Sequence, residues 1–270
     1  MERSVPAVRC SCQFNRASRS ALVFGAVLFL VAGFMEAPAP EAGSAVAVAP
    51  ARTADVTLDG DLGEWEEVPA IIIDSSSFLL TDATLYGGNA DIAGAVQFVW
   101  DTLNLYVAGR FADDSLARGA AWTSDRINLV FDFNNDNNPL TYGSRAPDAS
   151  RWQSDDHWVY AHIVGDGQPP YPVMRLAADY HGPVEDAALA SRRAEGGWTF
   201  ELAVPWAHLP EARPFIGAVL GMQVFVSDGD GGGRLTEIMW SDRWSFTADA
   251  GLQWELWKMG KLVLTGEPLR

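Results

Sequence analysis

The chain has 270 residues, 48% of them hydrophobic and 20% charged, a composition that excludes a collagen-like or wholly disordered protein. A formal net charge of −16 sets the surface against phosphate backbones, so no nucleic-acid partner is expected. Both cysteines, Cys10 and Cys12, lie near the N-terminus, so the rest of the chain holds neither a disulfide framework nor a Cys-based zinc site.

In chain order, the first element reads as an address. Arg3, Arg9, Arg16 and Arg19 precede an apolar run, Ala21 to Met35, and an Ala/Pro stretch containing Ala45-Val46-Ala47 follows. Basic, apolar and small-residue regions in that order describe a secretory signal over residues 1–35. The run is shorter than the roughly 17–25 residues of a spanning helix. A tilted, uncleaved N-terminal anchor stays open as the alternative, because the small-residue site lies well downstream. The expected location is periplasmic, extracellular or cell-surface anchored, and membrane contact is expected only through residues 20–35 if they are uncleaved. Residues 36–53 read as a flexible Ala/Pro-rich linker, and residues 54–270 as one domain.

From residue 54 the hydrophobic period is two. Val96, Phe98 and Trp100 alternate with Gln97 and Val99, Asp101-Thr102 turns, and Leu105, Val107 and Phe111 alternate with Asn104, Tyr106 and Arg110, which predicts a hairpin. Ile127, Leu129, Phe131 and Phe133 face one way, with Arg126, Asn128 and Asp132 opposite. Trp158, Ala161 and Ile163 mark a further strand. Trp198, Phe200, Leu202 and Val204 alternate with Thr199, Glu201 and Ala203, Leu220, Met222, Val224 and Val226 alternate with Gln223 and Phe225, and Leu262 and Leu264 end the series. Strands of this length with Gly, Asp, Asn and Pro turns predict an all-β fold, an antiparallel β-sandwich of immunoglobulin or jelly-roll-like type in a single domain.

Several segments carry a resemblance. They are Leu58-Asp59-Gly60-Asp61-Leu62-Gly63-Glu64-Trp65, Val99-Trp100-Asp101 with Leu103-Asn104-Leu105-Tyr106-Val107, Asp125-Arg126-Ile127-Asn128-Leu129-Val130-Phe131-Asp132, Gly197-Trp198-Thr199-Phe200-Glu201, and Ser227-Asp228-Gly229-Asp230. In this order they resemble the family 9 carbohydrate-binding module and its DOMON-like relatives. The resemblance covers residues 54–266. It implies an exported, non-catalytic protein that stacks a poly- or oligosaccharide between Trp side chains, with structural calcium. The segment Thr141–Gln168 departs from the family pattern and leaves the precise sugar open. Related sandwiches also bind haem, so the alternative is a periplasmic haem b electron-transfer subunit. Its axial ligands would be Met174, Met222 or Met239 with Lys258, Lys261 or a His.

Sugars present C–H faces that stack on aromatic rings and hydroxyls that need paired donors and acceptors. Trp65, Trp100 and Trp198 follow strand or opening-turn patterns and are expected in the core. Trp122, Trp152, Trp240, Trp244, Trp254 and Trp257 lie in or beside polar segments and are the stacking candidates. By analogy with the family's aromatic clamp, Trp122 is expected to face Trp244 or Trp254. Arg126, Asn128 and Gln223 are expected to bond sugar hydroxyls, a solvated sheet face being the other reading. Asp132, Asn134, Asp136 and Asn138 place oxygen at every second position, as calcium requires, and also as a metal-free Asx-turn would. Asp59, Asp61, Asp228 and Asp230 are further metal candidates. Gly229-Asp230-Gly231-Gly232-Gly233 lacks a following Lys-Ser/Thr and reads as a turn, not a phosphate cradle. No Gly-x-Ser-x-Gly or His-Glu-x-x-His occurs and the four His are scattered, so catalysis is not expected.

Overall fold

Period-two alternation sends each segment into a sheet, because only pairing satisfies backbone groups that the apolar face draws out of water. The computed structural model describes residues 45–52, 54–79, 84–116, 124–135, 139–141, 156–163, 174–177, 180–183, 187–209, 211–230, 235–241, 245–247, 251–255 and 259–266. For residues 139–141, 174–177, 180–183, 245–247 and 251–255 the description is of backbone alone. The expected signal or anchor, residues 1–35, lies outside the described residues.

The strands, in chain order, are β1 (Val46–Pro50), β2 (Ala70–Ile73), β3 (Phe78–Leu79), β4 (Ile92–Trp100), β5 (Asn104–Asp113), β6 (Arg126–Asp132), β7 (Pro139–Thr141), β8 (Asp156–His162), β9 (Met174–Ala177), β10 (Tyr180–Pro183), β11 (Ala188–Ala194), β12 (Gly197–Pro205), β13 (Val219–Asp228), β14 (Thr236–Met239), β15 (Ser245–Thr247), β16 (Gly251–Glu255) and β17 (Gly260–Thr265). Single 3₁₀ turns at Gly63–Trp65 and Trp206–His208 complete the described secondary structure. The large sheet has the order β1-β17-β13-β6-β8-β9-β10, with β14 also pairing β13 and β3 pairing β14. The second sheet runs β11-β12-β5-β4-β2, and β15-β16-β7 form a small third sheet.

The predicted β4–β5 hairpin is present, with Trp100 opposite Leu105. Its turn is held by Asp101, whose Oδ1 accepts from the backbone N–H of Leu103 and of Asn104, both at 2.7 Å. The inner faces of the two sheets supply one core: Ile127, Leu129, Phe131, Met222 and Val224 from the large sheet meet Val96, Phe98, Phe111, Phe200 and Leu202 from the second. Each such fully buried side chain is worth about 1.5–3 kcal/mol. Trp100 and Trp198 are buried as expected, Trp198 stacking on Phe111 at 4.6 Å between ring centroids.

Trp65 is also buried, but on the outer face of the second sheet, where it packs with Val99, Tyr106, Ala108 and Ala203. The opening Leu58–Trp65 segment is thus a cover. It is pinned by Glu201, a fully buried carboxylate on β12 that accepts from Asp59 N–H at 2.9 Å, Gly60 N–H at 2.6 Å and Trp65 Nε1–H at 2.9 Å. Gly60 turns there with φ +81°, and a Cβ on it would come within 3.0 Å of the Arg192 Cβ, so the turn needs glycine.

The linker expected over residues 36–53 is overturned at its C-terminal end. Val46–Pro50 form β1, which pairs in parallel with β17 from Val46↔Lys261 to Pro50↔Thr265. Ala47, Ala49 and Ala51 are buried in the core while Val46 and Val48 face outward, the period-two pattern of a strand. Alanine packs there because the two sheets close at this edge, and composition alone made the stretch look like linker. Parallel β1–β17 pairing is also a departure from the all-antiparallel expectation.

Candidate functional site

The outer face of the large sheet, opposite the core, carries an ordered array of polar and aromatic side chains. Strand registers set its rows. Tyr160 of β8 lies beside Asn128 of β6, which lies beside Phe225 of β13 and then Met239 of β14. One step along the strands, His162, Arg126, Ser227 and Glu237 form the next row. A step the other way, Trp158, Val130 and Gln223 line up.

The end row is an electrostatic unit. Arg126 Nη2–H donates to Glu237 Oε1 at 2.9 Å, and Ser227 Oγ–H donates to the same oxygen at 2.8 Å. Burial pushes the Arg126 guanidinium down from its usual range, and the Glu237 charge opposes that shift. Ser124 Oγ lies 2.7 Å from His162 Nδ1. Burial, and then the Arg126 charge, hold the imidazole below its usual range, so it is neutral at pH 7.

In the middle row Asn128 works internally. Its Nδ2–H groups donate to Phe225 O at 3.3 Å and to Ser227 Oγ at 3.1 Å, and its Oδ1 accepts from Trp158 Nε1–H at 3.2 Å. Trp158 leans on Tyr160 and Phe225, with centroids at 5.7 and 5.9 Å. Gln223 Oε1 accepts from Ser241 N–H at 3.1 Å and Val224 N–H at 3.0 Å, while its Nε2–H donates to Ser241 O at 3.2 Å.

The structure therefore brings Arg126, Asn128 and Gln223 to one face, and all three are buried there. Asn128 and Gln223 orient neighbours, one fixing Trp158 and Ser227, the other tying β13 to the chain after β14. Trp122, Trp152, Trp244 and Trp257 lie outside the described residues. Trp254 sits on β16, opposite Leu140 of β7, with only its backbone described. Trp240 is half-buried against the core, over Gly260, where an added Cβ would come within 2.3 Å of its ring. That packing gives one side of its ring a structural contact. Tyr160 and Glu237 escaped the sequence analysis, and Trp158 and His162 entered it only as a strand marker and one of the scattered His, although the alternation of β8 puts Trp158, Tyr160 and His162 on one side.

A second constellation lies between the sheets at one end. Asp91 precedes β4, Asp113 ends β5, Asp125 precedes β6 and Asp228 ends β13. Antiparallel pairing brings the start of one strand beside the end of its neighbour, so these four positions converge. Oxygens of Asp113, Asp125 and Asp228 lie within 4.8 Å of one another, as do those of Asp91, Asp228 and Asp230. Surrounding N–H groups orient three of the carboxylates: Trp198 Nε1–H donates to Asp113 at 2.9 Å, Gly229 N–H to Asp125 at 2.8 Å and Gly87 N–H to Asp91 at 2.7 Å. Asp228 is 1% exposed, and neither of its oxygens has a hydrogen-bond partner among the described residues. Its carboxyl is pushed up to about 9, first by burial and then by the charges of Asp113, Asp230, Asp125 and Asp91. A hard divalent cation takes six to eight oxygens and would supply the charge this cluster lacks, so the donor set fits calcium.

The loop expected to hold metal is a different place. Asp132 is buried beside Lys261, whose ammonium group donates to Asn135. Asn134 is exposed, and Asp136 and Asn138 lie outside the described residues. Asp59 and Asp61 face Arg192, at 3.8 and 3.3 Å, on the surface of the second sheet. Of the haem ligands considered, Met222 is fully buried inside the core cluster and Met239 is fully buried on β14. Lys258 lies outside the described residues, and Met174 is described only in its backbone.

Residues 63–267 match the model of the family described as carbohydrate family 9 binding domain-like. A relative, Exoglucanase XynX of Acetivibrio thermocellus, is 23% identical over 216 residues, covering 78% of this chain and 16% of that protein. The chain thus spans about one-sixth of that relative's length. Among solved structures, a family 9 carbohydrate binding module from Caldicellulosiruptor kristjanssonii in complex with cellotriose has a TM-score of 0.57 at 17% identity, over 82% of this chain and 94% of its own. The module from the same organism in complex with glucose has a TM-score of 0.56 at 17% identity, over 83% and 98%. At these identities the likeness shows the β-sandwich fold. The matches lend no support to the DOMON-like arm of the resemblance or to the haem alternative.

Proposed function

Because this chain belongs to the carbohydrate family 9 binding domain-like family, we propose that it is an exported, non-catalytic binder of poly- or oligosaccharide. The sugar docks on the outer face of the large sheet, stacked between Trp side chains, and calcium is held at the five-aspartate end of the sandwich. The observation that carries this reading is the row in which Glu237 Oε1 receives both Arg126 and Ser227. A charged donor, a carboxylate and hydroxyls on one rigid face match the demands of sugar hydroxyls, and a water-poor setting strengthens each bond. Trp158 and Tyr160, both buried in the other two rows, pack beside that row. Exoglucanase XynX gives a precedent for such a segment inside a larger protein named for activity on glucan, which suits a role beside a glycoside hydrolase.

The test is retention of the full chain on insoluble cellulose, xylan, chitin and mannan in millimolar calcium, with cellotriose as competitor. Retention relieved by cellotriose on cellulose is the result expected, together with loss of at least about fivefold in affinity for Trp122→Ala, Trp244→Ala and Arg126→Ala, since a removed stacking or charged partner costs on the order of 1–3 kcal/mol. No retention on any of the four would overturn the reading.

A further inference from the structure

The aspartate centre and the polar row share two strand ends. Asp125 and Arg126 are consecutive at the start of β6, and Ser227 and Asp228 are consecutive at the end of β13, where Ser227 pairs with Arg126. In a strand, successive side chains point to opposite faces. Asp125 and Asp228 therefore turn inward to meet Asp113 of the opposing sheet, while Arg126 and Ser227 turn outward to meet Glu237. Both pairs hang on the same stretch of backbone.

Resting on the functional reading above, we propose that Asp113, Asp125 and Asp228 are positioning residues for the saccharide: a divalent cation bound among them sets the geometry of the Arg126–Glu237–Ser227 row, so cation and sugar bind with positive coupling. Without the cation, buried carboxylates from two sheets face one another, and separation of the strand ends relieves that repulsion. Such separation splays the end of β6 from that of β13, and Glu237, paired with Ser227 in the same register, loses its Arg126 donor. With the cation, the ends are clamped and the row is preset. Linkage is reciprocal, so sugar must raise cation affinity by the same factor by which the cation raises sugar affinity.

The experiment repeats retention of the full chain on the same four polysaccharides in millimolar calcium and in chelator, below the melting temperature of the metal-free protein, with near-ultraviolet circular dichroism to verify folding. The expected result is binding at least about fivefold weaker in chelator, within the range usual for coupled sites, with Asp113→Asn in calcium behaving like the wild type in chelator. Glu201→Gln, which loosens the opposite face without touching the cluster, should leave sugar affinity unchanged and so separates coupling from general destabilisation. Equal retention with and without calcium, in a protein whose melting temperature calcium raises, overturns the coupling and leaves the sugar-binding reading standing. No calcium effect on melting also overturns it, and no retention anywhere overturns both.

Discussion

Glu201 shows how one residue can hold a segment. It stands on a central strand with its side chain on the outer face, where a carboxylate is costly unless every lone pair is used. Three N–H donors from Asp59, Gly60 and Trp65 meet that need, and Thr199 Oγ1–H donates to Gly60 O at 2.7 Å. Glu201→Gln places an amide N–H against backbone N–H groups in the same space. The expected cost is about 2 kcal/mol, typical of a buried acceptor lost to charged-group bonding, measurable by urea unfolding; a loss below a few tenths would show that the cover is not held by this carboxylate. The residue was quoted in the sequence reading only as part of a motif. Its role was illegible there, because its partners lie more than a hundred residues away.

Elements, unlike single contacts, were largely readable from alternation. The β4–β5 hairpin, β6, β12 and β13 follow the predicted periods, and their inward residues form the core. The N-terminal boundary was not readable, since Ala/Pro content is ambiguous between linker and edge strand. β1 lends β17 a full ladder, including Lys261 N–H to Ala45 O at 2.8 Å and Ala51 N–H to Thr265 O at 2.6 Å. A chain begun at residue 54 loses this ladder and exposes the core where Ala47 and Ala49 sit. It should melt about 5–10 °C below a chain begun at residue 36, as a loss of roughly 2–3 kcal/mol implies for a domain of this size. Equal melting temperatures would show that β1 is an ornament. For the same reason, a cut after Ala47 would divide β1, so any processing that leaves the sheet whole falls upstream of Val46.

At the scale of the molecule, the two sheets carry opposing charge problems at one end, and these make its stability sensitive to both cation and pH. An unfolded Asp ionises near about 3.9, whereas the Asp228 carboxyl is pushed up to about 9. Between those values the metal-free native state keeps a proton the unfolded state has lost, so its stability falls as pH rises through the window. Calcium needs ionised ligands, so the stabilisation it adds grows over the same window. Melting in chelator should decline from pH 5 to pH 8, and calcium should raise the melting temperature more at pH 8 than at pH 5. Asp228→Asn should remove most of that calcium increment while stabilising the chain in chelator. A melt indifferent to calcium at both pH values would exclude the cluster as a cation site. What local pattern decides here is the β-sandwich itself: alternation and turn chemistry are short-range, so strand faces and core Trp100 and Trp198 follow from neighbouring residues. The same locality put Arg126, Asn128 and Gln223 on the polar sides of their strands. Convergence is another matter. That Asp91, Asp113, Asp125, Asp228 and Asp230 meet, that Asn128 serves Trp158 instead of pointing to solvent, and that Lys261 occupies the Asp132 loop all depend on which strands pair and in which register. Those pairings join residues far apart in the chain, and only the closing of two sheets over one core selects them.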